Sequence, residues 1–512
     1  MISRIGVEDR QFKNNYANRS QQNPAFKSGL GGAVLNCIQA CERNPMVNVA
    51  VIDLLSAILP RTYVESLTNW FAGFEAFRRE SSGLIVNCMI PSVVAMGFAA
   101  CLNNFVMPKG SNMTSCWADS SLIQKATDIY SNSQADDKVK DSLKEILKGI
   151  EGTDGKNKVK FGEALSEAEL EEYANKLKEL SVTKKSRKEF NNEISKITKE
   201  IADKTHVFEG VNVGNVKATT TKTLLEDSVK YFREYQKAPK GTAIADFAKK
   251  SKNLVKTKSA LGLAVILPLA ASMQYINRWI TEKTSGVKGA PIYDDFGKDQ
   301  DEGIRAKAQE GLFKQKLISI SSMVGVALLS MMKKPTLGML EFKGIFPTMD
   351  QARIISTTTF ASRMAAADDK NELAEATVRD IATFSSMYFL GDYVAKATAT
   401  AIQKKTGTIL LNDTKPLKGN ENALQKFWHW VKDVNIKSSE EVVGKKAVNM
   451  RSACQAANLG VSLLLLGLVI PIFTRKNTQK KHAEALKLAQ ETSSSNTETN
   501  KEKESTVAHT AA

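Results

Sequence analysis

Histidine and cysteine are scarce in this chain, four and six in 512 residues, which leaves little material for metal chemistry or a disulfide framework. The cysteines are scattered at 37, 41, 88, 101, 116 and 454. Cys88, Cys101 and Cys454 fall within or beside apolar runs, where a thiol serves as a small hydrophobe. Cys37 and Cys41 share a helix face, but no histidine is near enough in sequence to complete a zinc site. Gly-x-Ser-x-Gly, the Walker loop, His-Glu-x-x-His and Gly-x-Gly-x-x-Gly are absent, which removes the signatures of the commonest hydrolases, nucleotide binders and metalloproteases. The first 30 residues lack the apolar core of a secretory signal, so this start is expected to stay unprocessed. Gly286 to Gly303 carries Asp294, Asp295, Asp299, Asp301 and Glu302. Gly303 stands where an EF-hand needs Asp or Asn, so the segment reads as a solvated acidic loop. No metal and no cofactor is expected.

Long charge-free apolar runs, in contrast, are present. With 42% apolar and 25% charged residues the bulk composition resembles that of a soluble protein, so the information lies in the clustering. Gly83 to Met107, the segment 260–278 and the segment 453–474 approach or exceed the roughly 20 apolar residues that cross a bilayer. Leu317 to Met332 is shorter and needs its flanking lysines to snorkel or the bilayer to thin. The expected fold is mainly α: a multi-pass helical membrane protein with an exposed α-helical hairpin module. A soluble protein with buried apolar helices is the competing reading. Residues 1–32 form a flexible lead-in. Ala33 to Leu59, interrupted by Glu42, Arg43 and Asp53, reads as a helix at an interface or packed on the others, preceding the first span within 33–116. Pro91 predicts a kink or a half-helix there, and Asn87, Asn103 and Asn104 should face protein or water.

Lysine and arginine number 71 against 55 acidic residues, a formal charge of +16, which favours an acidic partner. Lys249, Lys250, Lys252, Lys256 and Lys258 lead into the second span, Lys333 and Lys334 close the third, and Arg475, Lys476, Lys480 and Lys481 follow the last. That placement points to anionic lipid headgroups. Phe427-Trp428-His429-Trp430, between Lys426 and Lys432, reads as a helix lying in a bilayer interface. Its aromatics sit together instead of along a basic groove, which argues against nucleic acid, and His429 has no carboxylate beside it in sequence. Orientation conflicts: Arg78-Arg79 and the lysines from 249 to 258 both ask for the cytoplasmic side across one crossing. A returning first segment, an extra crossing near Val47 to Leu59, or a module long enough to escape the rule would each resolve this.

Residues 117–258 read as a soluble, charged helical module. Val139, Leu143, Ile146, Leu147 and Ile150 make one apolar stripe. Ser166 and Glu169 form a capping box before Leu170, Tyr173, Leu177 and Leu180, and Phe190, Ile194, Ile197 and Ile201 supply a matching stripe. A helical hairpin follows, with coiled-coil-like spacing, and residues 166–201 are the candidate surface for a protein partner. Val207 to Val216 reads as a lone strand or loop from which no sheet can be built.

The stretch 259–335 holds the second and third membrane segments around the acidic loop, and 336–452 is an amphipathic helical region. The tail 475–512 is expected to start as a short helix and then be disordered. Ionisable residues close to apolar segments are costly and are the candidates for a site: Arg61, Arg363, Glu375, Arg379, Asp380 and Asp392. Glu375 and Arg379 can pair on a helix face.

Three blocks carry a resemblance: Asn277-Arg278-Trp279 with Thr281 and Lys283; Ser362-Arg363-Met364 through Asn371-Glu372-Leu373; and Val378-Arg379-Asp380 with Leu390-Gly391-Asp392. They resemble an uncharacterised group of bacterial multi-pass membrane proteins. The resemblance implies a bacterial cytoplasmic (inner) membrane and supplies no activity. The expected role is structural, scaffolding or assembly. An oligomeric transporter or channel is the alternative that mid-span Pro91 and Pro268 suggest, and a membrane-embedded enzyme is another. Ala456, Gly460 and Gly467 give the last span a close-packing face for a homo-oligomer.

Overall fold

Asn44 opens the first apolar helix. Its Oδ1 accepts from the amides of Met46 and Val47, and Pro45 takes the first helical position, where its missing N–H costs nothing. The helix Pro45–Leu67 that follows is long and apolar enough to cross a membrane, as are Trp70–Val106, Ile244–Thr284, Leu312–Met331 and Lys446–Phe473. This computed structural model describes residues 30–68, 70–153, 158–183, 185–207, 209–285, 311–331, 340–344, 346–368, 370–413, 421–437, 442, 445–473, 476 and 480. The acidic loop, the lead-in through residue 29, Lys333 and Lys334, and nearly all of the tail lie outside them.

Five long apolar helices therefore stand where four runs were read. The fifth covers much of residues 33–59, read as a helix at an interface or packed on the others, and it packs against its neighbours. A short helix, Leu30–Arg43, leads into Pro45–Leu67, whose polar residues are turned inward: Asn48 Oδ1 accepts from Gln455 Nε2 at 2.8 Å, and Ser56 is buried. Pro91 and Pro268 lie inside unbroken helices. Pro91 follows a π-turn at Ile85–Met89, which absorbs the missing hydrogen bond. Asn87 and Asn103 meet protein as expected, accepting from Thr359 and Met113, whereas Asn104 is exposed. Helices Pro45–Leu67 and Trp70–Val106 form a tight hairpin. A Cβ on Gly73 would fall 1.9 Å from Ser66 Oγ and 2.9 Å from its Cα, so this crossing needs glycine.

The module is built differently from the reading. The stripes on Glu167–Val182 and Arg187–Thr205 are buried as their spacing predicts, and both capping boxes form. The hairpin does not stand alone, however, because both helices pack on Thr221–Gln236 and the first also on Lys138–Lys148. A sheet is present as well. Strands β1 (Ile150–Thr153), β2 (Lys158–Lys160), β3 (Glu209–Val213) and β4 (Val216–Thr220) form an antiparallel sheet in the order β2-β1-β3-β4. Glu151 pairs with Lys160 on one side and Asn212 on the other. The module is therefore α+β, an arrangement hidden in sequence because β1 and β3 are short and far apart.

The module core takes in Met107 at the end of one apolar helix and Leu254 and Val255 near the start of another. Ile244–Ser285 is one continuous helix, not a module helix followed by a separate span. The helix ends thus define a module end and a far end. Met349–Ala365, Lys370–Ser385 and Gly391–Thr406 complete the bundle, the last two joined by a π-turn at Ser386–Leu390. No residue of Met349–Ala365 is exposed. At the module end β5 (Leu411–Asp413) pairs with β6 (Val434–Ile436), strands that the amphipathic reading of 336–452 did not include, beside the helix Ala423–Lys432, which contains the expected helical segment Phe427 to Trp430.

Candidate functional site

Four elements bring their charges to one level near the far end. Pro45–Leu67 supplies Arg61, Trp70–Val106 supplies Glu80, Met349–Ala365 supplies Arg363, and Lys370–Ser385 supplies Arg379 and Asp380. Glu80 is held from both sides: Arg61 Nη1 donates to Oε1 at 2.8 Å and Arg363 Nη2 to Oε2 at 3.1 Å. The other Arg363 fork reaches Asp380 Oδ1 at 2.7 Å, and Arg379 Nε donates to the same oxygen at 3.2 Å. Glu375 lies 3.9 Å from Arg379 Nη1, the predicted i, i+4 pair. The Asp380 side chain is 1% exposed and that of Arg363 9%, so the pair is sealed from water.

A second knot adjoins the first. Arg78 Nη2 donates to Thr281 Oγ1 at 2.8 Å and to the Asn277 carbonyl at 3.2 Å. Asn277 Nδ2 reaches Ser82 Oγ at 2.9 Å, and Arg278 pairs with Asp368 at 2.6 Å and with Glu372. The three sequence blocks singled out above therefore meet in space, through Arg278 with Asp368 and Glu372, and through Arg363 with Asp380. Arg78 and Arg79 are half-buried in this layer, so they are not free flanking cations, and the orientation conflict they posed loses one of its sides.

Chemically the layer is a clamp. Arg61 and Arg363 tie one helix to another, Arg379 braces Asp380 within its own helix, and a broken pair would leave a buried charge undercompensated. Among the described residues it includes no histidine or cysteine in hydrogen-bond contact, and no group of three or more His, Cys, Asp or Glu is placed to hold a metal. Asp380 Oδ2 and Arg363 Nε are buried without a hydrogen bond.

Asp392 does not join the clamp. It is exposed, about 18 Å along the helix from Asp380 at 1.5 Å per residue. Glu80, which sequence reasoning passed over, joins Arg61 to Arg363, and Glu75, also passed over, accepts from Thr281 Oγ1 at 2.6 Å in the adjoining knot. Glu80 directly follows the Arg78-Arg79 pair, a signal for charge that must be neutralised if the segment is buried. His429 also gains a partner the sequence hid, with Nε2 3.0 Å from Asp413 Oδ1.

A second polar level crosses the module end. Asn103 Nδ2 donates to the Ser111 carbonyl. Ser120 donates through its amide and Oγ to Glu341. Lys258 is 1% exposed, with its ammonium 4.6 Å from the Trp117 ring centre, and Arg451 pairs with Glu42. Nearby in the module, burial pushes the Asp227 carboxyl up to about 7 although the Lys230 ammonium opposes it. At 1.5 Å per residue, Glu80 to Asn103 spans about 35 Å and Arg278 to Lys258 about 30 Å. Between these levels the exposed residues of the five apolar helices are uncharged on Leu54 to Leu59, Ile85 to Cys101, Leu261 to Ile276, Leu317 to Leu329 and Ala453 to Phe473. Comparison with protein-family models, curated proteins and solved structures gave no match.

Proposed function

We propose that this chain is a multi-pass integral membrane protein whose clamped helix bundle serves as a scaffold, holding the 117–258 module against one face of the bilayer. One observation carries the reading: two polar levels lie about 30 Å apart along the helices, the thickness of a hydrocarbon core, with bulky apolar side chains turned outward between them. Leu328, Leu329, Leu464 and Leu468 are each more than half exposed. Water would penalise that surface, whereas acyl chains would not. The sealed ion-pair layer supports a structural role, because a closed clamp fixes helix positions and offers a substrate no entry. The resemblance described above adds a bacterial cytoplasmic membrane as the proposed location.

Carbonate washing of membranes followed by cysteine accessibility tests the reading. Single cysteines at Gln134 in the module and Glu282 at the far end are both exposed positions. Retention in the carbonate pellet with labelling from opposite sides is the expected outcome. Release into the supernatant with equal labelling of both sites would overturn the proposal.

A further inference from the structure

The helix Ala423–Lys432 has no buried residue, and at ten residues it is too short to be stable alone in water. It is nonetheless held firmly. Asn422 and Gln425 form a capping box at its start. Lys396 Nζ donates to the carbonyls of Trp430 and Val431 at 2.9 and 3.1 Å, closing its end. Trp430 Nε1 donates to Thr400 Oγ1 at 3.1 Å, and Tyr393 stacks on Trp430. One side is thereby fastened to Gly391–Thr406. The other presents Leu424, Phe427 and Trp428, which are 64%, 55% and 48% exposed.

The position of this helix along the bundle identifies what covers that face. Lys396 and Thr400 lie about 24–30 Å from Asp380 along their helix at 1.5 Å per residue, which is the second polar level. Lys426 and Lys432 are exposed there, and the Lys432 ammonium sits 5.2 Å from the Trp428 ring centre. An apolar and aromatic face edged with lysine is the chemistry of the headgroup layer, where the rings enter the upper acyl region and the ammonium groups meet phosphate. The structure thus points to Ala423–Lys432 as a membrane-surface anchor for anionic phospholipid headgroups at the module end, a proposal that rests on the integral-membrane reading. Lys426 and Lys432, exposed beside this face, supply the complementary charge.

The test uses the full chain in vesicles of zwitterionic lipid with and without an anionic lipid. Cys37 and Cys101, the exposed native thiols, are replaced by serine, and Leu424→Cys carries an environment-sensitive fluorophore. The expected result is blue-shifted emission, quenched more strongly by nitroxides borne shallowly on lipid than by aqueous iodide. Lys426→Glu with Lys432→Glu should weaken the lipid quenching in anionic vesicles and leave it nearly unchanged in zwitterionic ones. Strong iodide quenching in a protein that stays carbonate-resistant would overturn the anchor and leave the membrane reading intact. Protection from both quenchers would show that a second copy or another protein covers the face, and would overturn it equally. Failure of carbonate resistance would count against the underlying reading instead.

Discussion

The module and the bundle bury opposite kinds of side chain. In the module Leu143, Ile146, Leu147, Leu170 and Leu177 are fully buried, and ion pairs such as Lys144 with Glu167 and Glu171 lie at the surface. In the bundle Arg363 and Asp380 are sealed inside, while Leu329, Phe313 and Phe105 stand 75%, 76% and 87% exposed. A salt bridge is therefore a different object in each half. On the module surface water screens it and the pair contributes little, whereas in the bundle the desolvated partners depend on each other. The same chain thus buries apolar groups and exposes charge in one half, and buries paired charge and exposes apolar groups in the other.

The sharpest way to break this contrast is Arg363→Ala. It takes one of the two hydrogen-bonded arginines from each of the buried carboxylates Glu80 and Asp380 and should cost about 3–5 kcal/mol, read as a lower midpoint in detergent-based unfolding of the purified protein. If the variant matches the parent, the clamp does not hold the bundle. Truncating the module core by Leu147→Ala should cost about 2–5 kcal/mol through a cavity. Hydrogen exchange should then rise across residues 138–236 and stay unchanged across 349–365.

Gly73→Ala forces the hairpin apart and should cost about 1–3 kcal/mol. Ser66→Gly in the same chain should return part of that loss in the unfolding midpoint, since Ser66 is the group displaced. Lys144→Ala belongs at the small end, below about 1 kcal/mol. A cost as large as that of Arg363→Ala would erase the distinction between the two halves.

Asp227 sharpens the comparison by pH. Burial raises its carboxyl to about 7 in the folded module, above its unfolded value near 3.9. Because folding disfavours the charged form, its contribution to stability declines as pH rises from about 4 to about 7 and is level on either side. Asp227→Asn should flatten that part of the stability profile of the module while leaving the bundle unaffected.

Legibility followed the distance over which each element is specified. The runs 83–107 and 453–474 announced themselves because apolar residues are continuous. Pro45–Leu67 was obscured by Asn48, Asp53 and Ser56, and the partner of Asn48 is Gln455, most of the chain away. The amphipathic stripes of the module were readable from their period, but the sheet joining β1 to β3 was not, since strands this short carry little alternation. Arg363, Arg379 and Asp380 could be singled out as charges beside apolar sequence. That they close on Arg61 and Glu80 required the fold, because nothing local says which of many charges will meet.

Arg61 and Glu80 lie on the two arms of one hairpin, drawn together by the close crossing of Gly73 on Ser66. The consequence concerns biogenesis. If the arms entered a bilayer one after the other, the first would carry a bare guanidinium toward hydrocarbon. On the membrane reading proposed above, folding back before entry would let each charge arrive already neutralised by its neighbour, making the hairpin the unit of insertion. Arg363 would then reach Glu80 only after this unit is in place, giving assembly of the bundle an order.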